Sequence, residues 1–586
     1  MTEEYDILIK NALIIDGTGS PPAKGSLAVK DERISAVGKV KGGAEAVIDA
    51  KGMAVTPGWI DVHNHGDMSI IYYPKADGFV RQGITTFVGG NCGSSPGPFG
   101  DLVTIGMMAD DLLDEIAPDM YYPGHTLPRN IVNLVHKKKF GWEIDWHTMG
   151  EFFNKLEKKG ISPNYVPLVG HHCIRTIVMG HDSHRAATSS EVKKMAAHVE
   201  QAMKDGCHGL SAGRDYEPSH YGDLNELVAL AKVAAKYNGI YAAHSLRTGL
   251  RKSKRPGQQP PSKVGGLLET IDVGRKAKLP VQVSHLGALH DVYPMNDKDL
   301  MEAAARATLK IVDEANKEGI DVSFDQIPGV RAYGLTQSQY LVGTLLPWLK
   351  VAGSREQLGK ALRMPEFRQE IKETCWSGKY NGINPNSNPN WAGGITVAEH
   401  KNATYKGKNI ATIAKEENND PFEVLFDTII ADPDAKVGGA GMGSSTKWMF
   451  YQHPRGMIGI DTLAIDATWM NTTPPWVLPS ENSFNGWAMY WHLVVRESKT
   501  LTLEQAVYKA TGAPASKFKL KDRGILKPGY YADIVVFNPE TIIEKCTLLN
   551  PATYPDGIPY VIVNGKLVVA DSTHTGATPG KVLRRE

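Results

Sequence analysis

The sequence predicts an α/β protein: a (β/α)8 barrel of the TIM type with a small β-sandwich built from both chain termini. Three observations predict it. Short strand-like runs bounded by Gly, Pro, Asp or Lys fill residues 5–55 and return after residue 520. Between them, apolar β-like runs alternate with helical stretches, the pattern of βα units around a parallel sheet. Eight such runs occur, and most end on a metal-capable or ionisable residue, as reactive residues do at the C-terminal ends of barrel strands.

In order, strands are expected at 5–10, 12–17, 26–29, 33–38 and 46–50. An apolar run at 53–55 then enters a Pro57-Gly58 turn, and Trp59, Ile60 and Val62 read as a buried strand ending at His63 and His65. Side chains at i and i+2 of a strand point the same way, so these two imidazoles can converge. The following strands are 84–90, ending at Asn91-Cys92-Gly93, and 165–170, ending at His171-His172. After a weaker run at 208–211 come 239–243 before His244, 281–284 before His285, 322–324 before Asp325 and 457–460 before Asp461. Residues 191–200 and 223–231 carry apolar positions at helical spacing. Two segments, near 95–147 and 330–420, exceed ordinary connections and read as insertions suited to a lid, a substrate wall or a subunit contact. Residues 524–538 and 559–569 return to strands, and Asn564-Gly565 is a hairpin signal. The domain boundaries expected are 1–55 and 516–586 for the sandwich and 56–515 for the barrel.

At 586 residues, with 42% hydrophobic and 22% charged residues, the chain has an ordinary globular composition. Its 65 basic and 64 acidic side chains leave a net charge of +1, which gives no electrostatic reason to expect nucleic acid or an anionic membrane. No apolar run approaches the roughly 18 residues that span a bilayer. The acidic start has no signal-peptide layout, so a cytoplasmic enzyme with a small-molecule substrate is expected, with a homo-oligomer compatible. Five scattered cysteines argue against a disulfide framework and leave thiolates available to a metal.

The strand-end set is His63, His65, Cys92, His244, His285 and Asp461. Imidazole, thiolate and carboxylate all suit zinc, and six such residues at five strand ends make a metal site the economical reading. At these residues the chain resembles the amidohydrolase superfamily and, within it, the D-aminoacylase (N-acyl-D-amino-acid deacylase) branch. The resemblance runs nearly end to end. It includes Pro57-Gly58-Trp59-Ile60-Asp61-Val62-His63-Asn64-His65, Gly89-Gly90-Asn91-Cys92-Gly93, Ala243-His244-Ser245, Val283-Ser284-His285-Leu286 and Ile458-Gly459-Ile460-Asp461. The cysteine is the specific part, since this branch places it where most amidohydrolases use a carboxylated lysine.

The resemblance implies a hydrolase of linear amides with one tightly held zinc and a second, weaker position. Cys92, His244 and His285 would hold the first, and His63, His65 and Asp461 complete the other. Asp461 would be the catalytic base and acid, with His171 and Arg247 near the substrate. Two substrate-facing features depart from the family. Leu286-Gly287-Ala288 stands where Leu-Lys-Ala is usual, and residues 479–487 lack the usual Pro-His-Pro-Arg. Arg247, Arg214 and Lys447 are the cations left to meet a carboxylate, and Trp391, Trp448, Trp469, Trp476, Trp487 and Trp491 offer either a roomier apolar pocket or core packing. A lactone, cyclic-amide or other C–N or C–O substrate on the same metal site is the alternative, and a scaffold homologue with a decayed site is disfavoured by the intact ligand set.

Overall fold

The structure, a computed structural model, describes residues 5–104, 126–246, 263–290, 297–328, 336–380, 382–386, 389–439, 446–469, 477–547 and 549–585. Strands from both ends of the chain share one nine-stranded sheet. Ala54–Pro57 pairs antiparallel with Ile534–Phe537, and Tyr5–Ile14 pairs parallel with Ala54–Pro57 and Ala44–Asp49. The two strands expected at 5–10 and 12–17 are one strand, Tyr5–Ile14. Its register slips between Ile9 and Ala12, where Asn11 takes φ 54°, so a bulge rather than a turn accommodates the polar residue. The Asn564-Gly565 hairpin forms as expected between Tyr560–Val563 and Lys566–Ala570, both residues having positive φ.

Parallel strands carry the expected ligand residues. Trp59–Asp61, Ile84–Gly89 and Asn164–Pro167 form one sheet. Val169–Gly170, Gly209–Gly213, Ile240–His244, Val281–Val283, Val322–Gln326 and Gly456–Ile458 form another. Residues 165–170 were expected as one strand. They divide at Leu168, whose N–H donates back to Gly89 O (3.0 Å) while His208 N–H donates to Pro167 O (2.7 Å). Val62 N–H donates to Ile458 O (3.1 Å), joining the first strand to the last. Most of these strands are buried on both faces, which is why they read as near-continuous apolar runs.

The helices between them obey their end signals. Ser189–Asp205 starts at a Thr188/Glu191 capping box and ends at Gly206, and Leu224–Lys236 is capped by Asp223. Residues 341–437 carry a second hydrophobic core, with Leu345, Leu349, Phe426 and Ile429 fully buried, between the Val322–Gln326 and Gly456–Ile458 strands. This insertion therefore leaves the sheet from the strand end that carries Asp325. Among the described residues no helix is long and apolar enough to cross a membrane.

Candidate metal centre

All six strand-end residues meet in one buried cluster. His63 is central: its Nε2 lies 3.4 Å from Cys92 Sγ and 3.3 Å from Asp461 Oδ1. Asp461 Oδ1 is also 3.2 Å from His65 Nε2, and Asp461 Oδ2 is 3.9 Å from His285 Nε2. His244 Nδ1 lies 3.8 Å from Cys92 Sγ and 3.1 Å from His285 Nε2. Two groups bring three donor atoms within 4.8 Å of one another: His63, Cys92 and His285, and His63, His65 and Asp461. His63 is common to both, so the cluster is one continuous set rather than two separate triads. Nitrogen, sulfur and oxygen donors gathered this closely fit a zinc-type ion.

The backbone is bent to make this possible. Cys92, His285 and Asp461 all have positive φ (51°, 36° and 48°), an uncommon state for residues with side chains and one that concentrates at functional sites. Around Cys92 the chain turns through Gly90 and Gly93, both also left-handed. A Cβ at Gly90 would collide with Leu168 O, and one at Gly213 with Cys92 O, so the Asn-Cys-Gly turn is seated on bare backbone. Asn91 Nδ2 donates to Val88 O (2.9 Å) and holds the turn against its strand. Asp61 ties the two ends of the site together. It accepts from His63 N–H (3.2 Å), Ile460 N–H (3.1 Å) and Trp487 Nε1 (3.0 Å).

Electrostatics follow the geometry. Burial works against a thiolate at Cys92, but the charge of His63 and bonds from His244, His285 and His63 outweigh it and draw the thiol well below its ordinary range. Burial likewise opposes ionisation of Asp461, and His63 and His65 still hold its carboxyl well below the usual range. His65 is affected the other way: burial opposes its charge, and Asp461 and Cys92 raise it to about 10.

Three groups outside the expected ligand set pack against it. Asp325 Oδ1 is 3.3 Å from His63 Nδ1 and accepts from His285 N–H (2.8 Å), while its Oδ2 accepts from Gln282 (3.0 Å). Asp215 Oδ2 is 3.2 Å from His244 Nε2, and Tyr216 Oη is 3.3 Å from His244 Nδ1. Asp325 ends a strand as the ligands do, so that signal was present. Asp215 and Tyr216 follow Gly209–Gly213, a strand too weak in sequence to draw attention to its end.

The substrate-side expectations divide. His171 is fully buried, with Nε2 2.7 Å from Glu226 and Nδ1 2.6 Å from Ser219, in a network that Arg175 joins, and it is not among the clustered donors. Arg247 and Trp476 lie outside the described residues. Arg214 is committed to Glu269 (2.7 Å) and Gly222 O (2.9 Å). Burial pushes the Lys447 ammonium down to about 8, and its Nζ is 3.4 Å from Ile327 O. Trp487 stacks on Trp59 and Trp491 packs against it at a tilt, all three buried in the core, so these two serve packing.

Comparison with known proteins agrees with this geometry. Residues 462–569 match the amidohydrolase family. The chain is 26% identical over 591 residues to D-aminoacylase of Alcaligenes xylosoxydans xylosoxydans, covering 100% of this chain and 98% of that one. It is 27% identical over 592 residues to N-acyl-D-glutamate deacylase of the same organism, again across 100% and 98%. Among solved structures, N-acyl-D-glutamate deacylase from Bordetella bronchiseptica, complexed with zinc and a phosphonate inhibitor that mimics the tetrahedral intermediate, superposes with a TM-score of 0.67. The sequences are 26% identical over 99% of this chain and 100% of that one. Along its whole length the chain is similar to D-aminoacylase and N-acyl-D-glutamate deacylase, with an amidohydrolase match over residues 462–569.

Proposed function

We propose that this chain is a zinc-dependent hydrolase of a linear amide, with an N-acyl-D-amino acid or a bulkier relative as substrate. The observation that carries the reading is the convergence of His63, His65, Cys92, His244, His285 and Asp461 in one buried cluster. Cys92, His244 and His285 would hold the tighter zinc, and His63, His65 and Asp461 would complete the second position. Zinc bound there lowers the pKa of water toward about 7 and polarises the scissile carbonyl. Asp461, held ionised by His63 and His65, takes the proton from the attacking water and returns it to the leaving nitrogen. The Asp61 bonds to His63 N–H and Ile460 N–H keep those two strand ends in register while it does so. The nine parallel strand segments, with Asn164–Pro167 and Val169–Gly170 counted as one broken strand, are taken as a (β/α)8 barrel over 56–515, supported by the Val62–Ile458 bond between first and last strands. The terminal strands at 1–55 and 516–586 are taken as its sandwich, supported by their shared sheet.

The experiment is a panel read on the zinc-loaded protein: N-acetyl-D-methionine, its L enantiomer, N-acetyl-D-glutamate, an anilide and a lactone. Turnover of a D-amide well above its L enantiomer supports the reading. Turnover of the lactone with no amide cleaved would replace it with a lactonase on the same metal site.

A further inference from the structure

We propose that Asp215 is a positioning residue for His244: its carboxylate selects the His244 tautomer and turns Nδ1 toward the metal. The inference rests on the zinc reading above. Asp215 is buried, and its Oδ2 lies 3.2 Å from His244 Nε2. A carboxylate oxygen at that distance accepts from an imidazole N–H, which puts the proton on Nε2 and leaves the lone pair on Nδ1. Nδ1 is the atom that faces Cys92 Sγ at 3.8 Å and His285 Nε2 at 3.1 Å. The opposite tautomer would put a proton between the three donors.

The turn that presents Asp215 is built to hold it still. Gly213 pairs in register with His244 across the sheet, and Arg214 N–H donates to His244 O (2.9 Å), so the two residues before Asp215 are tied to the histidine it meets. A side chain at Gly213 would strike Cys92 O, which places the ligand turn and the Asp215 turn in direct backbone contact. The Arg214 guanidinium is fastened to Glu269 and to the carbonyls of Ser219 and Gly222, so this turn has little freedom to withdraw. A carboxylate behind a metal-bound imidazole also raises the basicity of the ring, and losing such a partner costs about 10–100-fold in metal affinity.

The test compares wild type, Asp215→Ala and Asp215→Asn by competition for zinc against a chromophoric chelator, by the visible spectrum of the cobalt-substituted proteins, and by thermal unfolding of the metal-free proteins. Asp215→Ala is expected to bind zinc about 10–100-fold more weakly with altered cobalt bands. Asp215→Asn keeps an acceptor for Nε2–H but no charge, and its loss should be smaller. Zinc affinity and cobalt bands equal to wild type in Asp215→Ala, with only the unfolding temperature lowered, would reduce Asp215 to a structural role and overturn the inference. If the alanine variant does not fold, Asp215→Leu removes the acceptor while losing less volume, and wild-type zinc affinity and bands in that variant overturn the inference equally. Wild type that binds no zinc would instead remove the metal reading itself.

Discussion

Cys92→Ala tests the centre most directly, because it removes one sulfur and leaves the backbone undisturbed. Residue 92 is left-handed at φ 51°, and alanine meets the same steric cost there as cysteine, so that contribution cancels. The thiol is small and buried, and its loss from packing costs about 1 kcal/mol. The metal effect is larger. Structural zinc sites bind with about 10–16 kcal/mol, so one of the three donors proposed for the tighter zinc carries about 3–5 kcal/mol. At about 1.4 kcal/mol per tenfold, that is a loss of roughly 10²–10⁴ in affinity. Cys92 is also the anion beside His63, His244 and His285, and without it those imidazoles face one another with less compensation. The assay is zinc content after dialysis against a chelator, with a competition Kd, and thermal unfolding of the metal-free forms as the control for folding. A mutant Kd within tenfold of wild type would show that Cys92 only packs, and would refute the cysteine-centred site.

Two further predictions address substrate and stability. Gly287→Lys should fold normally, since a Cβ there meets nothing within 4 Å, and should raise kcat/KM for an acidic or carboxylate-bearing N-acyl substrate about 10–100-fold, the worth of one charge-assisted bond; equal kcat/KM in the mutant would show that position 287 does not face substrate. Glu226 supplies a pH test. Burial opposes its ionisation, but His171 and Arg175 hold its carboxyl down to about 2, below its ordinary 4.5. A depressed acid adds stability that is fully present above its unfolded pKa and is lost as pH falls through the folded one. Urea unfolding should therefore show the Glu226 contribution, about 3 kcal/mol, lost between pH 4.5 and 2, with Glu226→Gln starting lower and falling less steeply on that limb. A mutant that keeps the wild-type slope would assign the acid limb to other carboxylates.

The sequence alone determined the alternation of strands and helices, and the residue at each strand end. Both are local properties: apolar runs, caps and Gly-Pro punctuation decide where a strand stops, and His63, His65, Cys92, His244, His285 and Asp461 stand where strands stop. The bulge at Asn11 and the break at Leu168 escaped notice because both depend on pairing with a neighbouring strand. Only the tertiary structure decided the chemistry of the assembled centre. It made His63 common to both donor groups, forced Cys92, His285 and Asp461 into left-handed backbone, set Asp325 behind His63 and Asp215 behind His244, and engaged His171 with Glu226 and Arg214 with Glu269. The physical reason is range. Strand ends are specified by a few neighbours in the chain, whereas ring orientation and donor distances are specified by residues that meet only when the sheet twists and its segments pack against one another.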